Sequence, residues 1–421
     1  MSWTTFRLQV MTPLFSGDDP SPGNVDSPIR IPSIRGVLRY WFRAVAAGHG
    51  IVDRKALWEA EEKVFGSTKH PSPIQLRLVD GPTASGVGSR PTWTGGRGRK
   101  GFHGAHYLLG QGLWKYGSGL IRPYVAPDVK FELQVRLSED ETIDRQFLLA
   151  TWAWLTYGGM GARTRRGFGQ LRCIGVDGQL PLPFSSALKA VHTPAKWRDL
   201  LRTAVPSELR RPAEIGWSTW SEVRPSDAEQ PPELPMLAPR WWAGRLFDDH
   251  SGSLEGALNV AGQKWRNFRA VSNPDATPTP NTHSPEWVNA IHGNDRRYPV
   301  AALGLPVGYF SKEKNDRPEF KAAVEPCRPS DSGDEPESLR RASPVWLRPV
   351  QLEDRSWRVF THVFRARLLP EDSQLHIVED GVQLSSLDVP DSELTKRAWD
   401  AWLKGRKRLP HGFYDPQSTA T

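Results

Sequence analysis

The stretch IDRQFLLATWAWLTYGGMGARTRRGFGQLRCIGV, Ile143–Val176, changes character twice. Phe147, Leu148, Trp152 and Leu155 recur at helical spacing, so Ile143–Tyr157 reads as an amphipathic helix. Five glycines between Gly158 and Gly169 end it in a turn, and Gln170–Val176 returns to a strand. Helix, glycine-rich turn and strand make one half of a layered unit, and the residues upstream supply the rest. Val129, Phe131, Leu133, Val135 and Leu137 alternate along one strand, and Ile74–Val79 alternates along another. Arg54–Phe65 reads as a short helix that Gly66 can terminate. Before it, Ser33 is the expected N-cap of a helix carrying Ile34, Val37, Leu38, Trp41, Phe42 and Val45. Thr4–Val10 is a first strand with Phe6, Leu8 and Val10 on one face.

The resulting order, β-α-β-β-α-β over residues 1–180, is the ferredoxin-like (RRM-like) arrangement. A Gly/Arg-rich insertion, residues 81–127, interrupts it. Residues 181–421 are expected to form a second, decorated ferredoxin-like domain, making the chain α+β with two tandem domains and long insertions. Helices are expected at Leu254–Val271 and Ser392–Lys404, and strands at Val300–Phe310, Val345–Leu352 and Trp357–Leu369. The polar, Pro-rich tracts Pro225–Pro239, Ser272–Pro285 and Ser311–Arg341 read as loops or insertions.

The chain has 421 residues and a formal net charge of +8. Residues 1–180 hold 23 Lys/Arg against 15 Asp/Glu, and residues 181–421 hold 32 of each, so the whole surplus lies in the first domain. That asymmetry points to an anionic partner, RNA or DNA before membrane. Cys173 and Cys327 stand alone, which excludes a disulfide framework or a Cys-based zinc site and fits a reducing cytoplasm. Met1–Met11 carries no positive n-region followed by an apolar core, so no signal peptide is expected, and no apolar run is long enough to span a membrane.

Three segments carry the candidate chemistry. In Gly158–Gly169, glycines let the backbone approach a ligand, and Arg163, Arg165 and Arg166 offer planar donors to phosphate oxygens. Gly159, Gly161, Thr164, Gly167 and Phe168 complete that candidate site. A tight, solvated connection is the alternative. The loop follows a helix, so it is no dinucleotide fingerprint; it lacks the Lys-Ser/Thr pair of a P-loop; and Gln170 and Cys173 stand where an RNP1 motif needs aromatics. On the first helix Arg35, Arg39 and Arg43 form a stripe, with Arg30 and Ser33 at its start and no acidic residue from Ser27 to Val52. The stripe reads as a phosphate contact or as the exposed face of an amphipathic helix. In the insertion, Arg97, Arg99 and Lys100 lie among glycines between Trp93 and Phe102, a composition suited to single-stranded RNA or to a flexible surface loop. Trp93 and Trp114 are the candidate stacking residues there. His103 and His106 are a weak metal pair, and no cofactor is expected. Asp18, Asp19 and Asp26 read as turn formers, with Asp26 the weak candidate for metal-assisted phosphodiester cleavage.

These residues resemble a known family. Thr12-Pro13-Leu14-Phe15-Ser16-Gly17, the run Ile29–Ala44 with Phe65-Gly66-Ser67, and Gly158–Gly169 with Leu171 are similar to passages of the RAMP superfamily, the ferredoxin-like subunits of CRISPR effector complexes. More narrowly they resemble the subunit numbered one of the type III-B (Cmr) RNA-targeting complexes. Ala302-Leu303-Gly304-Leu305-Pro306 and Arg341-Ala342-Ser343-Pro344-Val345 match the family's second-domain markers more loosely. The resemblance implies tandem ferredoxin-like domains and a non-catalytic subunit that binds guide (CRISPR) RNA, target RNA or both near the guide's 3′ end, beside other RAMP subunits and away from membranes. The family's basic positions carry over to Arg35, Arg39, Arg43, Arg163, Arg165 and Arg166. Val25-Asp26-Ser27-Pro28-Ile29 resembles the loop of the cutting RAMP subunits, which keeps an endoribonuclease acting through Asp26 as the rival. A surface that docks acidic protein neighbours is a third reading.

Overall fold

The computed structural model describes residues 2–16, 29–79, 81–83, 87, 89–96, 103–189, 193–210, 212–217, 231–270, 290, 296–311, 320–329 and 336–406. They pack as two compact units, residues 1–262 with 346–364 and residues 263–345 with 365–421.

In the first unit the elements run β1 (Thr4–Val10), α1 (Ile31–Gly48), α2 (Arg54–Phe65) and β2 (Gln75–Val79). The insertion contributes α3 (Gly104–Leu109) and the two short strands β3 (Trp114–Lys115) and β4 (Gly119–Leu120). Then come β5 (Lys130–Arg136), α4 (Glu141–Tyr157) and β6 (Leu171–Asp177). The sheet order is β2-β5-β1-β6, antiparallel throughout, which is the ferredoxin-like order with the first strand between the third and the fourth.

Alternation sets the faces of this sheet. Phe6 pairs with Leu133, and Leu8 with Phe131, so the apolar members of both strands lie on the helix-covered side. There they meet Ile34, Leu38, Trp41 and Phe42 of α1 and Phe147, Leu148 and Trp152 of α4. Full burial of such side chains contributes about 1.5–3 kcal/mol each. A bulge between Arg7 and Leu8 keeps Cys173 on the same buried side opposite Leu8. The Asp140 carboxylate caps α4 by accepting from the Thr142 and Ile143 amides at 2.8 and 3.3 Å.

The start of α1 differs from expectation. The N-cap is Arg30 with extended backbone and no side-chain cap, and Pro32 occupies the first turn, so Ser33 lies inside the helix. Proline's fixed φ suits that turn, and Ile29 ahead of it is buried, which moves the boundary upstream.

A second antiparallel sheet belongs largely to the same unit: β7 (Trp242–Ser251) pairs with the strand Trp357–Phe364, which also pairs with Val345–Gln351. The order reproduces the first three strands of a ferredoxin-like unit, and no fourth strand joins it among the described residues. β7 escaped sequence reading because Ala243-Gly244-Arg245 breaks its alternation.

The second unit is built on a five-stranded antiparallel sheet of Val307–Ser311, Phe320–Arg328, Glu337–Ser338, Gln374–Glu379 and Val382–Leu387. Trp399 of the helix Ser392–Leu403 donates from Nε1 to the Ala302 carbonyl at 3.4 Å, and Trp402 packs edge-on to Trp265 at 5.3 Å. Two expectations are corrected here. Pro299–Leu303 is a 3₁₀ turn rather than the start of a strand, since Gly304 at φ +121° turns the chain before Val307. The tract 311–341 contains the strand Phe320–Arg328, whose apolar Phe320, Ala322 and Val324 are masked in sequence by charged neighbours. The tract 272–285 lies outside the described residues. Among the described residues no helix is long and apolar enough to cross a membrane.

Candidate nucleic-acid interface

The glycine-rich loop is strapped between two chain segments of the first unit. On one side Ala162 donates to the Phe15 carbonyl at 2.7 Å and Gly169 to the Pro13 carbonyl at 2.9 Å. Two of its glycines are obligatory. Gly161 sits at φ +86° against the Phe15 carbonyl, and at Gly169, φ +66°, a Cβ would fall 1.8 Å from the Met160 oxygen. On the other side the Leu347 amide donates to the Arg165 carbonyl at 3.1 Å, and the Pro349 ring closes on Gly167.

Beneath the loop lies Arg348, wholly buried. Its guanidinium donates to the Leu155 carbonyl at 2.7 Å, to Gly158 at a shorter distance, and to Leu171 at 3.5 Å. The last carbonyls of α4 thus find donors in a cation that also opposes the negative end of the helix dipole. Burial pulls this guanidinium down to about 9, still protonated at neutral pH. Trp346, Leu347, Arg348 and Pro349 are four consecutive residues that each seat part of the loop. Sequence reading passed over them. The available signal was an arginine inside an otherwise apolar strand, Val345–Val350.

The structure brings the loop and α1 together through Arg165. Its guanidinium carbon lies 5.9 Å from the Tyr40 ring centroid and 5.0 Å from that of Trp346. Arg163 is exposed at φ +62°, and its guanidinium rests against Gly110. Thr164 and Arg166 are half-buried, and Arg166 bridges to Leu347 along the backbone. Gly159 and Gly167 are buried backbone. Phe168 is fully buried, edge-on to Phe15 at 5.7 Å and to Trp93 at 5.9 Å. Its ring therefore supports the loop and offers no face to a ligand.

On α1 the stripe divides. Arg30 is exposed at the helix start, and Arg35 reaches the Ile74 carbonyl at 3.5 Å. Arg39 donates to Glu61 of α2 at 2.7 Å and to the Phe65 and Gly66 carbonyls at 3.1 and 2.6 Å. Arg43 lies 3.4 Å from the other Glu61 oxygen. The stretch that lacks acidic partners in sequence thus acquires one in space, a carboxylate whose side chain is only 5% exposed. Arg39 staples α1 to the end of α2, and the outward charge falls to Arg30, Arg35 and part of Arg43.

In the insertion, Trp93 is buried among Phe15, Tyr124 and Phe168, and Trp114 stacks on His106 at 4.0 Å and 11°. Burial depresses the His106 pKa. Among the described residues no group of three or more His, Cys, Asp or Glu is placed to hold a metal ion. Arg97, Arg99, Lys100, Asp18, Asp19 and Asp26 lie outside the described residues.

The family model described as the RAMP superfamily matches residues 7–172. The chain is 29% identical over 376 residues to the "CRISPR system Cmr subunit Cmr1-1" of Pyrococcus furiosus, covering 89% of this chain and 92% of that protein. It is 31% identical over 180 residues to Cmr subunit Cmr1-2 of the same organism, covering 40% of this chain and 92% of that protein. Its fold is similar to the apo crystal structure of Cmr1 from Pyrococcus furiosus, with a TM-score of 0.51 at 18% identity over 96% of this chain and 97% of that one.

Proposed function

The chain belongs to the RAMP superfamily, among the Cmr1 subunits of type III-B CRISPR systems, and from that premise we propose that it binds RNA within a Cmr ribonucleoprotein complex. In this reading its partners are guide RNA, target RNA or both, together with other RAMP subunits, and it works in the cytoplasm. Residues 1–180 form the RNA-facing domain and residues 181–421 the supporting one. The single observation that carries this reading is the seating of the Gly158–Gly169 loop against α1 through Arg165, between the Tyr40 and Trp346 rings, which leaves Arg163 exposed on the loop's outer side. The side chains offered are donors for phosphate oxygens, with no base-edge pattern, so binding is electrostatic and tolerant of sequence.

The chain is a binding rather than a cutting subunit. The loop's own charged side chains are guanidinium groups, seated by Trp346, Leu347, Arg348 and Pro349, and Glu61 is engaged by two arginines of α1. Incubating the protein with Mg²⁺ and guide-complementary RNA should give no cleavage that Asp26→Asn removes; such cleavage would favour the endoribonuclease.

The test of binding is to replace Arg35, Arg163, Arg165 and Arg166 together by alanine and titrate single-stranded RNA across a range of salt. Each phosphate-binding arginine removed should lower the salt slope by roughly 0.7, and together the four should weaken affinity about 100-fold or more at moderate salt. Unaltered affinity and slope would sink the proposal.

Glu61→Gln should act in the opposite direction. Without the carboxylate, Arg39 and Arg43 lose the anion that neutralises them, so RNA affinity rises several-fold and the salt slope steepens. Breaking the buried pair costs roughly 1–3 kcal/mol, read as a lower Tm. A variant that binds RNA more weakly would show instead that Glu61 orders the interface.

A further inference from the structure

Tyr116 is 98% exposed, more than any other large apolar or aromatic side chain described. It stands at the tip of the β3–β4 hairpin, where Trp114 pairs with Leu120 and Lys115 with Gly119. The base of this hairpin is fixed. The Trp114 ring stacks on His106, the Trp114 amide donates to the Gly110 carbonyl at 3.0 Å, and the Leu120 amide donates to the Ser89 carbonyl at 3.3 Å. Arg90 reaches the tip itself, donating to the Gly117 carbonyl at 3.2 Å. Leu113 and Leu120 are buried below. A ring held out on an anchored support forgoes the burial that other aromatic side chains here obtain, which suits a contact made with a ligand.

The chemistry of the surroundings selects that ligand. Residues 81–127 contain no Asp or Glu, and their charged residues are Arg90, Arg97, Arg99, Lys100, Lys115 and Arg122. An aromatic tip on an entirely cationic segment is complementary to a polyanion with flat, apolar faces. Continuity with the arginine loop points the same way. Gly110, against which the Arg163 guanidinium rests, is also the residue whose carbonyl holds the Trp114 amide. The loop's outermost arginine and the hairpin base thus meet at one residue.

We infer that Tyr116 stacks on a base of single-stranded RNA whose phosphates are held by the arginine loop, an inference that rests on the RNA-binding reading above. Base–aromatic stacking needs no base-edge readout, so it adds affinity without sequence preference. A continuous duplex hides its base faces, so the contact favours single strands or strand ends.

The experiment uses the full-length protein and a 15-nucleotide oligouridine carrying 2-aminopurine at alternate positions. Stacking on Tyr116 quenches 2-aminopurine emission. Tyr116→Ala and Tyr116→Leu should weaken affinity about 5- to 50-fold and lose part of the quench, while the salt slope stays that of the wild type. Tyr116→Phe and Tyr116→Trp should bind within about twofold of wild type, because the ring and not the hydroxyl makes the contact. Because the side chain is solvent-exposed, folding is unaffected, and an unchanged Tm checks this. If Tyr116→Ala binds and quenches as the wild type does, while the arginine variants lose affinity, the stacking inference falls and the RNA-binding reading stands. If the wild type itself shows no salt-dependent binding, both fall. Loss of assembly with neighbouring subunits at unchanged RNA affinity would assign Tyr116 to a protein contact and likewise overturn the inference.

Discussion

Arg348→Met should lower the stability of the first unit by about 2–4 kcal/mol. The substitution nearly conserves volume, so it opens little cavity and isolates the loss of the donors. It leaves the Leu155 and Gly158 carbonyls without the guanidinium that satisfies them. Each orphaned buried carbonyl costs about 1–3 kcal/mol, and release from the expense of burying a cation offsets part of the sum. For a folding unit of this size the expected fall in Tm is about 3–7 °C. Arg348→Lys should lie between, because an ammonium at this site cannot span all three carbonyls with the geometry of a planar fork. The same variants should weaken RNA binding even though Arg348 is wholly buried and touches no ligand. Gly158 is the first residue of the arginine loop, and unpinning it lets Arg163–Arg166 move away from α1. Calorimetry with RNA titration on each variant separates the effects. An unchanged Tm for Arg348→Met would mean that backbone strapping alone seats the loop.

The first ferredoxin-like sheet was legible because its signals are local. Alternation in Thr4–Val10 and Val129–Leu137, and the helical spacing in α1 and α4, follow from periods of two and 3.6 residues, and the structure places all four within a residue or two of the reading, apart from the start of α1. The glycine-rich loop was legible for a similar reason, since its glycines mark positive φ at Gly161, Gly167 and Gly169. What stayed hidden depends on pairings distant in sequence. Nothing in the stripe Arg35–Arg39–Arg43 announces Glu61, 22 residues beyond Arg39. Nothing in the loop announces Arg348, 190 residues beyond Gly158. Phe168 and Trp93 have the composition of stacking residues, yet the structure spends both on the core. Tyr116, one residue beyond the hairpin's first strand, is the most exposed ring among the described residues.

This bears on the charge surplus of residues 1–180. The formal +8 already subtracts Glu61 and Asp177, and pairing decides where the surplus is felt: Glu61 engages Arg39 and Arg43, and Asp177 engages Arg7 at 3.1 Å. Exposed pairs such as the last are worth little in stability but still cancel field at short range. The cations that remain outward lie on the loop, at the start of α1 and on the acid-free insertion.

Acid should destabilise the first unit well above the range in which carboxylates titrate, because two histidines there are buried in neutral form. His362 donates from Nε2 to the Tyr157 carbonyl at 3.1 Å and accepts at Nδ1 from Trp242 Nε1, also at 3.1 Å. Protonation would put a hydrogen on Nδ1 against the indole N–H. The ring is enclosed by Trp346, stacked at 5.5 Å, and by Trp41, Phe360 and Phe364. Burial first, and then the positive charges of Arg348 and Arg165, pull His362 down to about 3 against the contribution of the Tyr157 carbonyl. Burial and Arg210 likewise pull His49, bonded to the Val45 carbonyl, down to about 3. Unfolding returns both to the ordinary value near 6.5. Between the folded and unfolded values the unfolded chain binds more protons, so stability is complete above about pH 6.5 and falls as pH drops towards 3. Each histidine removes about 2 kcal/mol by pH 5, and the two together about 4 kcal/mol. Thermal denaturation at pH 7.5, 6 and 5 should therefore show a steep fall in Tm over the last two points. His362→Phe, although less stable at pH 7.5, should halve the slope. A wild-type Tm that stays flat down to pH 5, or a variant that keeps the full slope, would show that the buried imidazoles are not what makes this unit acid-sensitive.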